Sequence, residues 1–398
     1  MAISLLPLCA TACVAQLEAK EAPEHLILIM PFENVGKTAG MEWISEAFPE
    51  VIGKRLSVED ALFISRADRM YAYDHMGIPP GAKPSRATTI RIAQEMDVDL
   101  VFMGSYESDG RILTARAQIL NVTTLRMTPE ITESGSVQEM MGILNALAWD
   151  LLHSSALHGP SSGDNFASKR AYVSAVVSPK LDAFEKYVRG VTAAGQKEKT
   201  ALLREAVKLS PEFDEARFAL AKSLFENKDY EEAAQNLRAV SLQSIHANES
   251  RFFAGLAELY IGHAERAEES FGYVVKNLPL IEAVNNLGVA QARRGKKTAT
   301  EQFRKAAELD PTDADYHFNL GLSLWRSGAP QEAIEQLKEA YALRPGDTEA
   351  KALHDTLAAG KTEAHPPQER TKNNYDETSY RQLQLEIERA RKFKPHNP

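Results

Sequence analysis

The hydrophobic pattern changes near the middle of the chain. Before residue 155, short apolar runs such as residues 25–32 alternate with segments of helical periodicity such as residues 41–56. Short apolar runs bounded by turn residues are typical of strands buried on both faces. After residue 180 only the helical periodicity remains. The pattern predicts an α+β multidomain protein, in which a small α/β domain with a mixed sheet is followed by an all-α region.

The first part, residues 22–155, is predicted to alternate strands and helices. Pro49 falls within the first helix and is expected to kink or split it. Ser136 and Glu139 have the spacing of a capping box for a helix that ends near Leu152. The predicted strands are 25–32, 62–65, 99–106, 111–121 and 129–134, and the predicted helices are 41–56, 85–96 and 136–152.

Short motifs in this part resemble a known family. Pro-Phe ends the first strand at residues 31–32, Ser-Arg lies at the end of the second at 65–66, and Gly-Ser lies in the third at 104–105. This order is similar to the TolB amino-terminal-like and FlgO-like domains of bacterial envelope and regulatory proteins. The resemblance implies a mixed sheet closed by a hairpin. It also implies a non-enzymatic domain of a kind that often precedes helical repeats.

The second part, residues 180–360, repeats at a regular interval. Pro211, Pro279, Pro311 and Pro345 lie near a 34-residue period or its double. Small and large apolar positions recur between them, and the set is complete in one unit: Leu320, Gly321, Leu324, Ala333, Leu337, Ala340 and Pro345. This pattern resembles the tetratricopeptide repeat, with about five helical hairpins and a degenerate first unit. A further helix, capped by Asp347 or Thr348, is expected to seal the array.

Stacked hairpins of this kind form a superhelix whose first helices line a concave groove. Aromatic anchors with flanking cations are typical of interaction sites, so a protein or peptide partner is predicted. An alternative is that Phe218, Phe252 and Phe318 pack against the next hairpin instead. Because these aromatic residues replace the Lys and Asn cluster of a carboxylate clamp, such a clamp is not expected. The candidate groove residues are Phe218, Lys222, Phe252, Tyr260, Asn285, Arg293, Phe318 and Arg326.

The remaining segments are predicted to connect or target these two parts. Residues 156–179, rich in Gly, Ser and Pro at 158–164, indicate a linker. Residues 361–398 indicate a polar, flexible spacer and then an amphipathic helix over 376–392, which could dock on the repeats or on a partner. Residues 1–21 resemble a secretory leader, which favours a periplasmic or otherwise exported protein. Lipidation of Cys13 is a minor alternative, and a cytoplasmic chain with a non-targeting amino terminus is another.

Composition and charge exclude several functions. A net charge of −9 without a long basic run argues against nucleic acid as a partner, and no apolar stretch is long enough to predict a transmembrane helix. Residues 34–38 (NVGKT) resemble the end of a phosphate-binding loop, but Pro31 replaces the required glycine, so a polar turn is favoured.

No catalytic, cofactor or metal constellation is evident, because the histidines lack ligand spacing and no nucleophile motif occurs. The sequence therefore predicts a non-enzymatic interaction or assembly scaffold in the bacterial cell envelope. The alternative is a regulatory protein whose α/β domain binds a small ligand or nucleotide and signals through the repeats.

Overall fold

The computed structural model describes residues 25–36, 38–55, 61–154, 156–157, 168–175, 178–361, 367–376, 379–380 and 383. The predicted leader at residues 1–21, with Cys9 and Cys13, lies outside these residues. Most of the amphipathic helix predicted over 376–392 also lies outside them.

The amino-terminal part is built on a mixed sheet. Among the described residues its strands are β1 (His25–Ile29), β2 (Glu33–Asn34), β3 (Ala61–Phe63), β4 (Leu100–Ser108), β5 (Ile112–Asn121) and β6 (Ile131–Ser136). The strand order is β3-β1-β4-β5-β6, and β2 pairs with β4 at one end. Strand β1 is parallel to β3 and β4, whereas β4, β5 and β6 are antiparallel. The predicted α/β domain with a mixed sheet is confirmed.

Helices cover both faces of this sheet. Helices α1 (Ile44–Arg55) and α4 (Met140–Leu152) lie on one face, and α2 (Arg66–His75) and α3 (Arg86–Glu95) lie on the other. Successive residues of β1 alternate between the two cores, as a strand buried on both faces requires.

Three local predictions differ from the structure. Helix α2 was not predicted, because its ten residues are mostly polar, although Ser65 caps it by accepting from the amide of Asp68. Pro49 does not split α1, which continues through it. Ser136 caps a short 3-10 turn (Val137–Glu139) in front of α4 and accepts from Gln138, so the predicted capping box is wrong.

Residues 178–361 form five antiparallel helix pairs and one further helix. Glycines in four of the first helices allow close pairing, since a Cβ at Gly288 would lie 2.7 Å from the ring of Phe303. The pairs are α6 (Leu181–Thr192) with α7 (Gln196–Leu209), α8 (Asp214–Glu226) with α9 (Tyr230–Ala239), α10 (Ala247–Tyr260) with α11 (Ala264–Asn277), α12 (Ile281–Arg293) with α13 (Ala299–Leu309) and α14 (Ala314–Arg326) with α15 (Pro330–Leu343), followed by α16 (Thr348–Ala358).

The segment predicted as a linker contains a packed helix. Helix α5 (Lys169–Ser174) lies against α4, and its Tyr172 is almost fully buried. The guanidinium of Arg55 lies 3.8 Å from the ring centroid of Tyr172 and donates to its carbonyl at 2.6 Å. The linker prediction is therefore wrong for these residues, where an aromatic anchor overrides the polar composition.

The α/β domain and the helical array share one hydrophobic core. Helix α6 packs against α1, with the rings of Trp43 and Phe184 6.1 Å apart. The hydroxyl of Tyr187 donates to Glu50 at 2.8 Å across the same junction. Because the first helix pair has no preceding pair, α1 covers the face that such a pair would bury.

Candidate functional site

The concave side of the array is occupied by the chain's own carboxyl-terminal segment. Residues 367–376, hereafter the tail segment, follow α16 and run back along α14, α12 and α10. The first helices of neighbouring pairs contact one another on this side, which defines the groove. The prediction of a flexible spacer over residues 361–372 is therefore wrong from residue 367 onward. The physical reason is that groove side chains pair with the backbone of this polar segment.

Two asparagine side chains make the central contacts. The amide nitrogen of Asn319 donates to the carbonyl of Arg370 at 2.8 Å, and its oxygen accepts from the amide of Arg370 at 2.7 Å. Asn286 pairs with the amide and carbonyl of Lys372 in the same way, at 2.8 Å each. Asn285 adds a 3.0 Å donation to the Arg370 carbonyl and accepts at 2.8 Å from Asn319.

These contacts reproduce the pairing of a β-strand edge. A carboxamide presents one donor and one acceptor, as a peptide group does, and alternate residues of an extended chain offer their amide and carbonyl on one side. Asn286 and Asn319 thus bind every second residue of an extended chain. Both side chains are fully buried, so leaving them unpaired would be costly. Contacts of this kind do not depend on the side chains of the bound segment.

An acidic and aromatic site holds the side chain of Arg370. The guanidinium donates to Asp347 in a bidentate arrangement, to Glu349 at 2.9 Å and to Asp315 at 3.2 Å. It also lies 3.5 Å from the ring centroid of Phe318. Asp347 simultaneously caps α16 by accepting from the amide of Ala350 at 3.0 Å. The planar guanidinium therefore stacks on a ring while its donors meet carboxylates.

A second acidic site holds Lys372. Its ammonium donates to Asp313 at 2.6 Å and to Asp315 at 2.8 Å, and it lies 5.0 Å from the ring centroid of Tyr316. Asp315 is shared by both cation sites, which places them side by side along the groove. Because Arg370 and Lys372 are two residues apart in an extended chain, their side chains leave on the same face.

Further contacts fix the two ends of the tail segment. Arg326 pairs with Glu369 and donates to the Pro367 carbonyl at 3.0 Å. At the other end, the hydroxyl of Tyr260 donates to Asn373 at 2.7 Å. The ring of Tyr375 meets Phe252 edge-on at 5.0 Å and lies 6.1 Å from Phe253. Tyr375 also hydrogen-bonds to Glu249.

The tail cations change the ionisation of the groove carboxylates. Burial alone would raise the pKa of Asp315, but hydrogen bonds from Arg344 and Lys372 hold that pKa well below its ordinary value. Burial is likewise outweighed at Asp347, whose pKa is lowered by Arg370 and by the Ala350 amide. The pKa of Arg370 is raised, because hydrogen bonds to Asp347 and Glu349 exceed the effect of its burial.

Five of the eight predicted groove residues touch the tail segment. They are Phe252, Tyr260, Asn285, Phe318 and Arg326. Phe252 and Phe318 are also fully buried, and Phe252 contacts Phe271 of its own hairpin, so they serve the core and the groove together. The prediction of cationic groove residues is wrong around Arg370 and Lys372, because carboxylates of the groove face these two tail cations.

The other three predicted residues face other parts of the array. The ring of Phe218 stacks on His246 at 4.5 Å, and the ammonium of Lys222 lies 3.6 Å from the ring centroid of Phe253. Arg293 donates to the carbonyl of Leu259 at 3.0 Å and so joins two first helices.

Sequence reasoning missed Asn286 and Asn319, which carry the central contacts. A signal was present. These asparagines precede the close-packing Gly288 and Gly321 by two residues each, so they occupy equivalent positions in successive pairs. A polar amide that recurs at a buried position of a repeat indicates a ligand-facing role.

The candidate phosphate loop has a structural role. Residues 33–34 form β2, and the amide of Val35 donates to the Tyr106 carbonyl at 2.9 Å. The hydroxyl of Thr38 donates to the Ser108 carbonyl at 2.7 Å. These groups are already paired within the sheet, whereas Lys37 lies outside the described residues. The described residues of this segment therefore do not form a phosphate cradle.

Other chemistry is sparse in the described residues. There, no group of three or more His, Cys, Asp or Glu side chains is placed to hold a metal ion. No described helix is long and apolar enough to cross a membrane. A cleft of about 520 Å³ lies where the α/β domain meets the array, lined by residues that include Val51, Lys54, Asn145 and Phe213.

Comparisons with known proteins agree with the repeat architecture. A family model described as tetratricopeptide repeat matches residues 200–241 and 297–348. The predicted tetratricopeptide repeats are therefore confirmed, and such repeats generally act as protein interaction modules. Both matched stretches lie in the array, so the resemblance of residues 22–155 to TolB amino-terminal-like and FlgO-like domains stays a prediction.

Several solved structures match part of this chain. YrrB, described as a tetratricopeptide-repeat protein with an unusual peptide-binding site, is 19% identical with a TM-score of 0.40, covering 44% of this chain and 92% of its own. MamA from Desulfovibrio magneticus RS-1 is 22% identical with a TM-score of 0.36, covering 40% of this chain and 92% of its own. A thermophilic tetratricopeptide-repeat protein of Thermus thermophilus is 16% identical with a TM-score of 0.32, covering 44% of this chain and 99% of its own. Curated protein sequences give no significant match.

Proposed function

We propose that this protein is a non-enzymatic interaction scaffold that binds an extended segment of a partner protein in the groove of its helical array. The observation that carries the proposal is the pairing of Asn286 and Asn319 with the backbone of residues 370 and 372. Pairing through amide and carbonyl groups recognises an extended conformation in any polypeptide. The tail segment supports the proposal, because it lies in the groove as an extended chain.

A peptide library tests this proposal on the full chain. The groove is first freed by reversing the two tail cations, Arg370→Glu and Lys372→Glu, which places carboxylates against the groove carboxylates. We call this chain the charge-reversed tail variant. Selection of random displayed peptides on it is expected to enrich binders that depend on the asparagine pairs.

The dependence is measured with a matched pair of substitutions. Asn286→Leu with Asn319→Leu, the groove variant, keeps side-chain size and removes both carboxamides. It is expected to weaken the selected peptides at least tenfold. Asn236→Leu with Asn277→Leu is the control, since these asparagines donate to carbonyls of their own second helices. Asn236 also accepts from Arg217 of α8 at 3.5 Å, which lies outside the contacts of the tail segment. Equal binding to the groove variant, or no enrichment at all, would contradict the proposal.

We also propose that the scaffold acts in a bacterial cell envelope after export. The support is the apolar segment over residues 2–15 and the resemblance of residues 22–155 to envelope-associated domains. Residues 1–30 fused to a phosphatase that is active only outside the cytoplasm are expected to give activity in a bacterial host. An inactive fusion would indicate a cytoplasmic protein. Loss of lipid labelling on Cys13→Ser would test the lipid anchor.

A second candidate function has one observation in its favour. The cleft of about 520 Å³ at the domain junction could hold a small ligand and connect ligand binding to the array. A thermal-shift screen with nucleotides and metabolites checks this regulatory hypothesis. A stabilisation that Asn145→Leu removes would favour it, because Asn145 lines the cleft and the Leu side chain lacks the amide.

A further inference from the structure

We propose that the external partner carries a segment with an acidic residue, two basic residues at alternate positions and an aromatic residue, and that the tail segment is the chain's own competing copy of this motif. The inference rests on the proposed function and specifies its ligand. In the tail the motif is Glu369, Arg370, Lys372 and Tyr375. The partner must therefore displace residues of the same chemistry.

The groove selects a cation at the position of Arg370. Asp347, Glu349 and Asp315 surround the guanidinium of Arg370, and Phe318 lies beneath it. A neutral residue at this position would leave the buried carboxylate of Asp347 without its bidentate partner. Selection for a cation is therefore built into the site.

The neighbouring position selects a second cation. Asp313 and Asp315 both contact the ammonium of Lys372, within a site that is mostly shielded from solvent. Two carboxylates that contact the same ammonium group repel one another when that cation is absent. Because the asparagine pairs fix the backbone spacing, the second cation must follow the first by two residues.

The ends of the motif have their own contacts. Arg326 faces the acidic position, where Glu369 is buried. Phe252 and Phe253 form the aromatic site for Tyr375. These contacts fix the direction of the segment along the groove, from the last helix pair towards the third.

Covalent attachment gives the tail segment an advantage over any free ligand. Only five residues separate Lys361 from Pro367. A short connection gives an effective concentration on the order of millimolar, so a free segment with the same contacts binds the unmodified chain much more weakly than it binds an open groove. The tail segment thus sets a threshold that excludes weak ligands.

The test uses a fluorescent peptide with the sequence of residues 367–376 and full-length chains. Fluorescence anisotropy is expected to show binding to the charge-reversed tail variant at least tenfold tighter than to the unmodified chain. Lys305→Glu with Lys338→Glu is the control, because it makes the same charge change on exposed residues of second helices. This control is expected to bind as weakly as the unmodified chain.

Two further forms keep the test independent of folding defects. Arg370→Gln with Lys372→Gln removes the cations without adding repulsion. This chain is also expected to bind the peptide more tightly than the unmodified chain does, but by a smaller factor than the charge-reversed tail variant. Circular dichroism of every variant checks that the array is intact. A peptide in which both cations are replaced by Glu is expected to bind the open groove at least tenfold more weakly than the native peptide.

Several results would overturn the inference. Equal affinity for the unmodified chain and the charge-reversed tail variant would show that the tail segment does not compete. Equal binding of the native and Glu-substituted peptides would show that the acidic sites do not select cations. Dimers of the unmodified chain that dissociate on tail substitution would show exchange of the segment between two copies.

The library selection separates this inference from the proposed function. Selected peptides that depend on Asn286 and Asn319 but lack alternate basic residues would leave the interaction scaffold intact and refute the motif. Absence of any peptide that depends on these asparagines would refute the proposed function itself.

Discussion

At the residue scale, two carboxamides provide the function of a strand edge on the surface of a helix. Asn286 and Asn319 each pair with both the amide and the carbonyl of one tail residue. A helix has no free backbone groups along its middle, so only side chains can supply this pairing. Because the first helices present equivalent positions side by side, two neighbouring asparagines bind alternate residues of one extended chain.

The groove variant, Asn286→Leu with Asn319→Leu, is expected to release the tail segment. Each buried backbone group left unpaired costs about 1–3 kcal/mol, and every 1.4 kcal/mol is about a tenfold change in an equilibrium. Hydrogen exchange of residues 367–376 is therefore expected to accelerate by more than about tenfold. Mass spectrometry of the tail peptides measures this change.

The matched substitution Asn236→Leu with Asn277→Leu serves as the comparison. These side chains donate to carbonyls one turn earlier on their own second helices, and Asn236 also accepts from Arg217 of α8. The tail exchange rate is expected to stay unchanged there. Unchanged exchange in the groove variant as well would mean that the asparagine pairs do not hold the tail segment.

Ionisation of Asp315 and Asp347 makes binding of a basic segment depend on pH. Both carboxyl groups have a pKa below the ordinary value of about 3.8 when the segment is bound. The bound state therefore holds fewer protons than the free state. The affinity is highest well above pH 3.8, and it decreases as the pH falls through 3.8 towards the lowered pKa. Affinity of the 367–376 peptide for the charge-reversed tail variant is expected to be flat from pH 8 to 5.

Below this range the affinity is expected to fall by roughly tenfold or less by about pH 3.3, because two carboxylates must each lose a proton on binding. The limit arises because Arg344 and the Ala350 amide also lower these pKa values without the segment. A peptide with Gln at both basic positions serves as the comparison and is expected to show a smaller change. Equal pH dependence of the two peptides would contradict the assignment, provided that circular dichroism shows a folded array.

The sequence could predict the groove positions only in part. The repeat register placed Asn285, Phe318 and Arg326 in the groove, and in the structure all three contact the tail segment. The register did not identify Asn286 and Asn319, which follow Asn285 and Phe318 directly. The first helices of a superhelix present more than one row of side chains to a chain bound in the groove. Nor could it show that the tail segment would bind, since such pairing uses backbone groups that every polar sequence has.

At the element scale, the array depends on close contact within each helix pair. A Cβ at Gly255, Gly288 or Gly321 would lie 2.7 to 2.8 Å from a side chain of the second helix. Large partners on that helix, Phe271, Phe303 and Leu337, are fully buried and fill the space that the missing side chain leaves. The recurring small and large positions could therefore be read from the sequence, because the same packing recurs in each pair.

Gly288→Ala is expected to destabilise the chain by about 1–3 kcal/mol, because the added methyl overlaps the ring of Phe303. Gly272→Ala is the matched control. Gly272 lies in the middle of α11, and nothing is within 4 Å of the Cβ that alanine would add. Alanine there is expected to stabilise the helix by up to about 1 kcal/mol. Denaturant unfolding compares the two variants, and a similar change in stability at both positions would refute the packing argument.

Elements that depend on tertiary contacts were the hardest to predict. Helix α2 carries few apolar residues, and its buried Arg69 is held by Glu46 and by the Ile29 carbonyl at 3.1 Å. Helix α5 likewise depends on Tyr172 inserting beside Arg55 and Trp149. The local hydrophobic pattern does not reveal such contacts with residues distant in sequence. The repeat helices could be predicted without knowledge of their contacts, because their hydrophobic periodicity is strong.

At the scale of the whole molecule, the α/β domain takes the place of a repeat. A helical array needs cover at each end, and here α1 covers the first pair whereas α16 covers the last. Trp43, Phe184 and Tyr187 form the contact at the first end. The tail segment then links α16 to the middle of the groove. The two domains and the tail segment therefore belong to one packed unit.

Phe184→Ala is expected to separate the unfolding of the two domains. Removing a buried phenylalanine costs about 3–5 kcal/mol, and this side chain belongs to the junction as well as to the first pair. In a Trp325→Phe background, the remaining Trp43 and Trp149 report on the α/β domain, whereas circular dichroism reports mainly on the array helices. The two transitions are expected to coincide in the parent and to diverge in the Phe184→Ala chain, because cooperative unfolding requires the shared core.

Asp182→Ala, an exposed change in the same helix, is the control, and its two unfolding transitions are expected to coincide. Transitions that already differ in the parent would show that the domains fold independently, in which case α1 would be a neighbour of the first pair without stabilising it.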